Sequence, residues 1–165
     1  MIELDRVWVS LLDDATAKAI RAGRTDLADY LRLRATNDAI RNTGVAWLFD
    51  TMIEIATRPS QRAIKIERDD PHSFTRGSSN MVGSRLQIRH GVRCLTVEAG
   101  WARTPSDGIM QKGSLAFARF THFGMPRETS EFRLVHAASL PHWLSENDAI
   151  IDSFVLQRHF ELLAE

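Results

Sequence analysis

The sequence predicts an α+β domain, with helices at both ends of the chain and an antiparallel sheet between them. Apolar residues recur at spacings of three and four before residue 58 and again after residue 145, which is the helical period. Between these regions they alternate with polar residues, which is the period of half-buried strands. Because each layer must bury its apolar side, we expect the N-terminal helices and a C-terminal helix to pack on one face of a roughly five-stranded antiparallel meander sheet.

The length and composition of the chain are those of one globular domain. It has 165 residues, of which 44% are hydrophobic and 25% are charged, and domains commonly span about 100–200 residues. We therefore predict a single domain over residues 1–165. Its parts are a helical part at 1–58, an antiparallel sheet at 62–137 and a C-terminal helix at 145–164.

The charge balance bears on partners. Lysine plus arginine number 21, as do aspartate plus glutamate, so the net charge is zero. Nucleic-acid-binding domains usually carry a basic excess, so no nucleic-acid partner is predicted. A neutral chain also repels its own copies little, which is compatible with a homo-oligomer.

Cysteine content and the N-terminus bear on the compartment. The single cysteine, Cys94, excludes an intramolecular disulfide and a multi-cysteine zinc site, and it favours a reducing environment. Glu3 and Asp5 stand where a secretory signal would carry basic residues. Apolar runs such as residues 45–49 are far shorter than the ~20 residues that span a bilayer. We therefore expect a cytoplasmic protein with no membrane partner.

The N-terminal helices have recognisable ends. An apolar stripe over residues 4–19 predicts the first helix. Gly23 is predicted to end it in the left-handed conformation, and Thr25 to cap the second helix. Gly44 is predicted to break that second helix.

Two further helices are predicted from their surroundings. Residues 45–57 are apolar on nearly all sides, which is typical of a buried helix, and Pro59 is predicted to stop it. Ser145 followed by Asp148 resembles a capping box, which predicts the start of the C-terminal helix.

The alternating region predicts strands and one hairpin. A two-residue turn at His90 and Gly91 would place Leu86 opposite Leu95, and the apolar residues of the two strands would then share a face. The other face carries no aromatic residue on which an RNA base could stack, so we expect it to be solvated or covered by a partner. Its residues are Arg85, Gln87, Arg89, Thr96 and Glu98. Two more strands are predicted at 115–123 and 132–136, joined by a turn at 124–126.

The candidate binding site lies in the longer loops. In a meander, segments 69–81, 100–113 and 137–144 leave the sheet at the same end, and long loops on a rigid scaffold often carry function. We predict that cationic side chains, turn amides and hydroxyls, and a flat apolar wall surround an anion there. These residues are Arg76, Ser78, Ser79, Asn80, Trp101, Arg103 and Lys112, with Trp143 as a further wall.

An alternative interpretation of the same loops is that they are ordinary solvated turns. Asp69, Asp70 and Asp107 would then neutralise the cations internally. The glycines of the phosphate-binding and dinucleotide-binding motifs are missing from the sequence.

Other groups of reactive residues give weaker signals. Asp69, Asp70 and His72 would suit a metal or acid–base chemistry, but Asp-Asp-Pro is also a common turn opener. A site of His90, His122 and Glu98 would need residues most of a strand length apart. Because these spacings match no ligand motif and Cys94 has no base beside it, no metal, cofactor or catalytic residue is predicted.

The predicted function is a soluble binding or accessory module. It would recognise a small anionic ligand or a protein partner through loops 69–81 and 100–113. One alternative is an enzyme with its active site in the same loops, and another is a structural subunit of a homo-oligomeric assembly.

Overall fold

The computed structural model describes residues 3–58, 63–136 and 140–164. The predicted stop at Pro59 lies outside these residues. Within them, the chain forms three α-helices, six strands and three short 3₁₀ turns. In chain order they are α1 (Glu3–Arg21), α2 (Thr25–Ala56), β1 (Lys65–Arg76), β2 (Ser79–His90), β3 (Arg93–Trp101), the 3₁₀ turns Pro105–Asp107 and Gln111–Gly113, β4 (Ala116–His122), the 3₁₀ turn Pro126–Glu128, β5 (Ser130–His136), β6 (Pro141–Ser145) and α3 (Ser153–Glu161).

The six strands form one antiparallel sheet in sequence order, which confirms the predicted fold class. The sixth strand, Pro141–Ser145, falls mostly within segment 137–144, which was predicted to be a loop. That prediction is wrong for β6, because Trp143 pairs with Leu134 along β5 and fills the core. Residues 137–139 lie outside the described part of the chain.

The chain divides into two compact units, Met1–Thr43 and Gly44–Glu165, with α2 running through the division. The first unit contains α1 and the first part of α2. Gly23, at φ +71°, follows the end of α1 as predicted. Trp8 Nε1 donates a 2.8 Å hydrogen bond to Asp38 Oδ2, which ties the two helical segments of this unit together.

Gly44 lies inside α2, so the predicted break there is wrong. A Cβ atom at this position would lie 2.5 Å from Leu134 Cδ2, and the Gly44 carbonyl accepts a 3.0 Å hydrogen bond from Trp143 Nε1. The glycine therefore provides room for the sheet against the helix and does not interrupt the helical hydrogen bonds.

The segment from Gly44 to the end of α2 supplies much of the helical side of the core. Leu48, Phe49 and Met52 are fully buried, which confirms the predicted burial. Trp47 is an exception, because it is 41% exposed. Part of the apolar surface of this helix therefore remains exposed in the described residues.

The sheet has two distinct faces. The core face carries Leu86, Val97, Phe120 and Leu134 and packs against α3 and the C-terminal part of α2. The opposite face, called the open face here, carries polar residues. The five residues predicted to share a face, Arg85, Gln87, Arg89, Thr96 and Glu98, do share this one.

The β2–β3 hairpin is present, but its predicted register is wrong. Leu86 pairs with Val97 and not with Leu95, because the turn residues are Gly91 and Val92. Gly91 has φ +58°, and a two-residue hairpin favours glycine at its first central position. The error shifts the partner by two residues, so the side chains keep their predicted faces.

The predicted capping box is also wrong. Ser145 ends β6, and its hydroxyl accepts a 3.2 Å hydrogen bond from the Ala149 amide within a turn. Helix α3 begins later, after Asp152, whose Oδ1 accepts a 3.0 Å bond from the Val155 amide.

Candidate functional site

A bulge in β1 determines which side chains reach the open face. Asp69 pairs with Arg85 and His72 pairs with Gly83, so two residues of β1 stand opposite one residue of β2. The extra residue reverses the alternation, and His72, Phe74 and Arg76 therefore lie on the open face. Segment 69–81, which was predicted to be a loop, is mostly strand, with its turn at Gly77 and Ser78.

The end of the β1–β2 hairpin bends over the open face. Strands β1 and β4 are separated by two strands, or roughly 14 Å at ordinary strand spacing. Even so, Arg119 Nη1 of β4 donates a 3.2 Å bond to the Thr75 carbonyl of β1. Phe74 and Met81 of the hairpin also form an apolar cluster with Phe117 of β4. These contacts hold the hairpin end close to β4 on the open face.

Two facing glycines lie at the base of this hairpin. Gly83 pairs with Gly100, and a Cβ atom on Gly83 would lie 1.9 Å from the Ala99 carbonyl oxygen. Only a residue without a side chain fits there, since no real Cβ approaches backbone so closely. The close approach of β2 to β3 thus depends on glycine at position 83.

Beside the glycines, Glu98 forms a charged anchor for the hairpin. His72 Nε2 lies 2.8 Å from one carboxylate oxygen, and Arg119 Nη2 donates a 2.6 Å bond to the other. Burial raises the pKa of Glu98, but the hydrogen bonds and charges of His72 and Arg119 outweigh burial and hold it below its ordinary value. Glu98 therefore remains a carboxylate that joins β1, β3 and β4, which is a structural role.

The candidate binding site is a cleft of about 130 Å³ between the hairpin end, the 3₁₀ turn Gln111–Gly113 and strands β4 to β6. Three cationic side chains from separate segments line it, together with two carboxylates, a buried serine and apolar residues. The lining residues are Arg76, Gln111, Lys112, Ser114, Phe117, Glu131, Phe132, Arg133, Leu144, Ser145 and Glu146.

Two contacts hold Arg76 in this cleft. Its guanidinium carbon lies 3.8 Å from the centre of the Phe117 ring, and its Nε donates a 3.4 Å bond to Glu131 Oε2. The bond is longer than the roughly 2.7–2.9 Å usual for a charge-assisted pair. The guanidinium is therefore held between an aromatic ring and a carboxylate.

The other two cations differ in how they are held. Arg133 donates to Asp148, and this hydrogen bond, with the positive charges of Arg133 and Lys112, lowers the pKa of the Asp148 carboxyl. Lys112 has φ +54°, which is uncommon for a residue with a side chain. Its side chain is exposed, and among the described residues it forms no ion pair within 4.0 Å.

The structure brings only some of the predicted site residues together. Arg76 and Lys112 line the cleft. The second loop meets the hairpin turn, since a Cβ atom on Gly108 would lie 2.3 Å from Ser79 Oγ. Ser78 and Asn80 are exposed at that turn and do not line the cleft.

Arg103 and Trp101 form a separate pair. Arg103 stacks over the Trp101 ring at 4.0 Å and donates a 3.3 Å bond to the Val82 carbonyl. Trp101 is 3% exposed and pairs in register with Val82, on the side of the sheet opposite Gly100. Trp143 is buried as well. Neither tryptophan lines the cleft.

Nine of the eleven residues that line the cleft were not among the predicted site residues. They include Ser114, Glu131, Arg133 and Glu146, which come from segments that were not predicted to carry the site. One signal was available, since Glu131 and Arg133 alternate with the apolar residues of β5 and so share a face.

The other predicted constellations are dispersed. Asp69 and Asp70 pair with Arg85 and Arg68, respectively. His122 lies on the core face with His159, whereas Glu98 lies on the open face. In residues 3–58, 63–136 and 140–164, no group of three or more His, Cys, Asp or Glu side chains is placed to hold a metal ion.

Cys94 does not line the cleft. Cys94 is nearly buried, with Sγ 3.8 Å from Thr96 Oγ1.

None of the helices in the described residues has the length and apolar character needed to cross a membrane.

Comparisons of the chain with protein-family models, with curated proteins and with solved structures each found no match.

Proposed function

We propose that this chain is a binding module whose cleft recognises a small ligand carrying a carboxylate or phosphate group. The observation that supports the proposal is the convergence of Arg76, Lys112 and Arg133 on one cleft from three separate segments of the chain. Such groups bind anions through charge-assisted hydrogen bonds, which are about twice as strong as neutral ones. Lys112 is the first contact that we assign to the anion.

The guanidinium of Arg76 is prepared for the same ligand. Phe117 holds it in place, so little conformational freedom remains to be lost on binding. A guanidinium carries five N–H donors, and the bond to Glu131 uses Nε. An anion can therefore bind without displacing the carboxylate.

The size of the cleft restricts the ligand. Its volume of about 130 Å³ is below the ~300–1,000 Å³ of typical pockets for drug-sized molecules. We therefore propose a ligand of few non-hydrogen atoms, or the charged end of a larger one. Phe117 and Leu144 supply an apolar wall beside the charges.

Thermal unfolding in acetate, phosphate and sulfate, against chloride at equal ionic strength, tests the proposal. A ligand that binds only the folded state raises the midpoint as its concentration rises. Replacing the ammonium group removes a charged hydrogen bond worth about 1.5–3 kcal/mol, so Lys112→Met should weaken binding about tenfold or more. Lys18→Met is the matched control, because Lys18 is exposed on α1.

The proposal fails if none of the three anions raises the midpoint above that in chloride. It also fails if Lys112→Met and Lys18→Met respond to the anions alike.

A further inference from the structure

We infer that the preferred ligand of the cleft is a zwitterion, in which one small molecule carries both a carboxylate and an ammonium group. The inference rests on the proposed function and concerns the ligand class. Its basis is that the cleft presents both signs of charge, because Glu131 and Glu146 line it together with Arg76, Lys112 and Arg133.

The balance of charge disfavours a simple dianion. Two of the three cations already have a carboxylate partner, since Arg76 pairs with Glu131 and Arg133 pairs with Asp148. A phosphate would be attracted by the cations, but it would be repelled by Glu131 and Glu146, which line the same cleft. A molecule with one charge of each sign meets a partner at both ends, so the carboxylates then add to selectivity.

Four of the nearby charges are already paired within the protein. Arg76 Nε donates a 3.4 Å bond to Glu131, and Arg133 donates to Asp148. Lys112 and Glu146, which line the same cleft from separate segments, are the two charges that we assign to a ligand with a charge at each end. The apolar side chains of Phe117 and Leu144 line the same cleft and suit the methylene groups between the ends.

The positions of Lys112 and Glu146 suggest how the ligand is oriented in the cleft. Lys112 lies in the 3₁₀ turn Gln111–Gly113, and Glu146 directly follows β6. Neither forms an ion pair within 4.0 Å among the described residues. We assign the ligand carboxylate to Lys112 and its ammonium group to Glu146.

A series of ω-amino acids tests the inference, because it varies the distance between the two charges. Glycine, β-alanine, 4-aminobutyrate and 6-aminohexanoate are compared in thermal unfolding with acetate and methylammonium, each alone and mixed. At least one zwitterion should raise the midpoint more than the mixture of its two halves does. At 100 times its Kd the rise should be about 5–10 °C.

Charge-removing variants assign the two ends. Lys112→Met should weaken the response to the zwitterion and to acetate alike. Glu146→Gln should weaken the response to the zwitterion and leave that to acetate unchanged or enhanced, since the repelling carboxylate is gone. Glu54→Gln, exposed on α2, is the matched control and should respond as the wild-type protein does.

The possible results separate the two proposals. If acetate acts through Lys112 but every zwitterion does no better than acetate, the zwitterion inference is overturned and the anion site stands. If Glu146→Gln leaves the zwitterion response unchanged, the inference is likewise overturned. If neither acetate nor any zwitterion raises the midpoint, both proposals are overturned.

Discussion

Acidification should weaken the attachment of α3 to the sheet through His159. This side chain is nearly buried, with its ring 5.0 Å from Phe120 and its Nδ1 3.1 Å from His122 Nε2. Burial lowers the pKa of His159 to about 4, and the positive charges of His122 and Arg158 add to the effect. The folded state therefore requires a neutral imidazole at this position.

The size of the effect follows from linkage. The unfolded ring titrates near 6.5 and the folded ring near 4, and each pKa unit corresponds to about 1.4 kcal/mol. His159 thus accounts for about 3 kcal/mol of stability above pH 6.5 that is lost as the pH falls towards 4. The sign is that of a depressed histidine pKa, because the unfolded state binds the proton more tightly. Burial lowers the pKa of His122 too, so it acts in the same direction.

Urea unfolding at several pH values between 7.5 and 4, followed by far-UV circular dichroism, measures this loss. His159→Asn keeps a polar atom near His122 but does not titrate in this range, so its unfolding free energy should fall less steeply below pH 6.5. His142→Asn is the control, because His142 lies near the surface and bonds to the Leu140 carbonyl. Equal slopes for wild type and His159→Asn would refute the assignment.

Three further predictions concern the core and the open face. Gly83→Ala should lower the free energy of unfolding by about 1–3 kcal/mol or more, because its Cβ would overlap the Ala99 carbonyl. A urea midpoint equal to that of the wild-type protein would contradict the described register. Phe49→Ala should cost about 3–5 kcal/mol, since the ring is fully buried, while Trp47→Ala should cost clearly less at 41% exposure. Similar losses for these two variants would show that the faces of α2 are misassigned. Cys94→Ser should fold and keep the rise in unfolding midpoint that a ligand of the cleft produces, because Cys94 does not line the cleft. A thermal-shift assay in which that rise is lost would show that the thiol takes part in binding.

Periodicity was sufficient to predict much of the fold. The alternation of Leu86 and Ile88 placed side chains on the right faces, although the turn was assigned one residue too early. Local signals failed where tertiary packing outweighed them. Gly44 looks like a helix breaker, yet helical hydrogen bonds continue through it and Leu134 needs the space above it. Asp70 and Pro71 look like a turn, yet they form a bulge within β1.

Two of the predicted site residues line the cleft, but the structural reason differs from the expected one. Arg76 and Lys112 were expected to approach each other because both were assigned to loops at one end of a meander. They do line one cleft, but they meet because the bulge directs Arg76 to the open face and the hairpin end bends over it. Neither step has a pattern in the sequence. The alternation along β5 places Glu131 and Arg133 on one face, but it does not indicate that this face borders a cleft, so both were missed and Arg103 was included.

Titration of ¹⁵N-labelled protein with acetate and then 4-aminobutyrate, followed by amide resonances in two-dimensional NMR spectra, locates the ligand on the chain. If the cleft is the binding site, saturable shift changes should concentrate at residues 74–76, 111–114, 131–133 and 144–146. Lys112→Met should reduce them, whereas Lys18→Met should leave them unchanged. Changes that are absent, that fail to saturate, or that cluster instead around Trp101 and Arg103 would contradict an anion-binding function for this cleft.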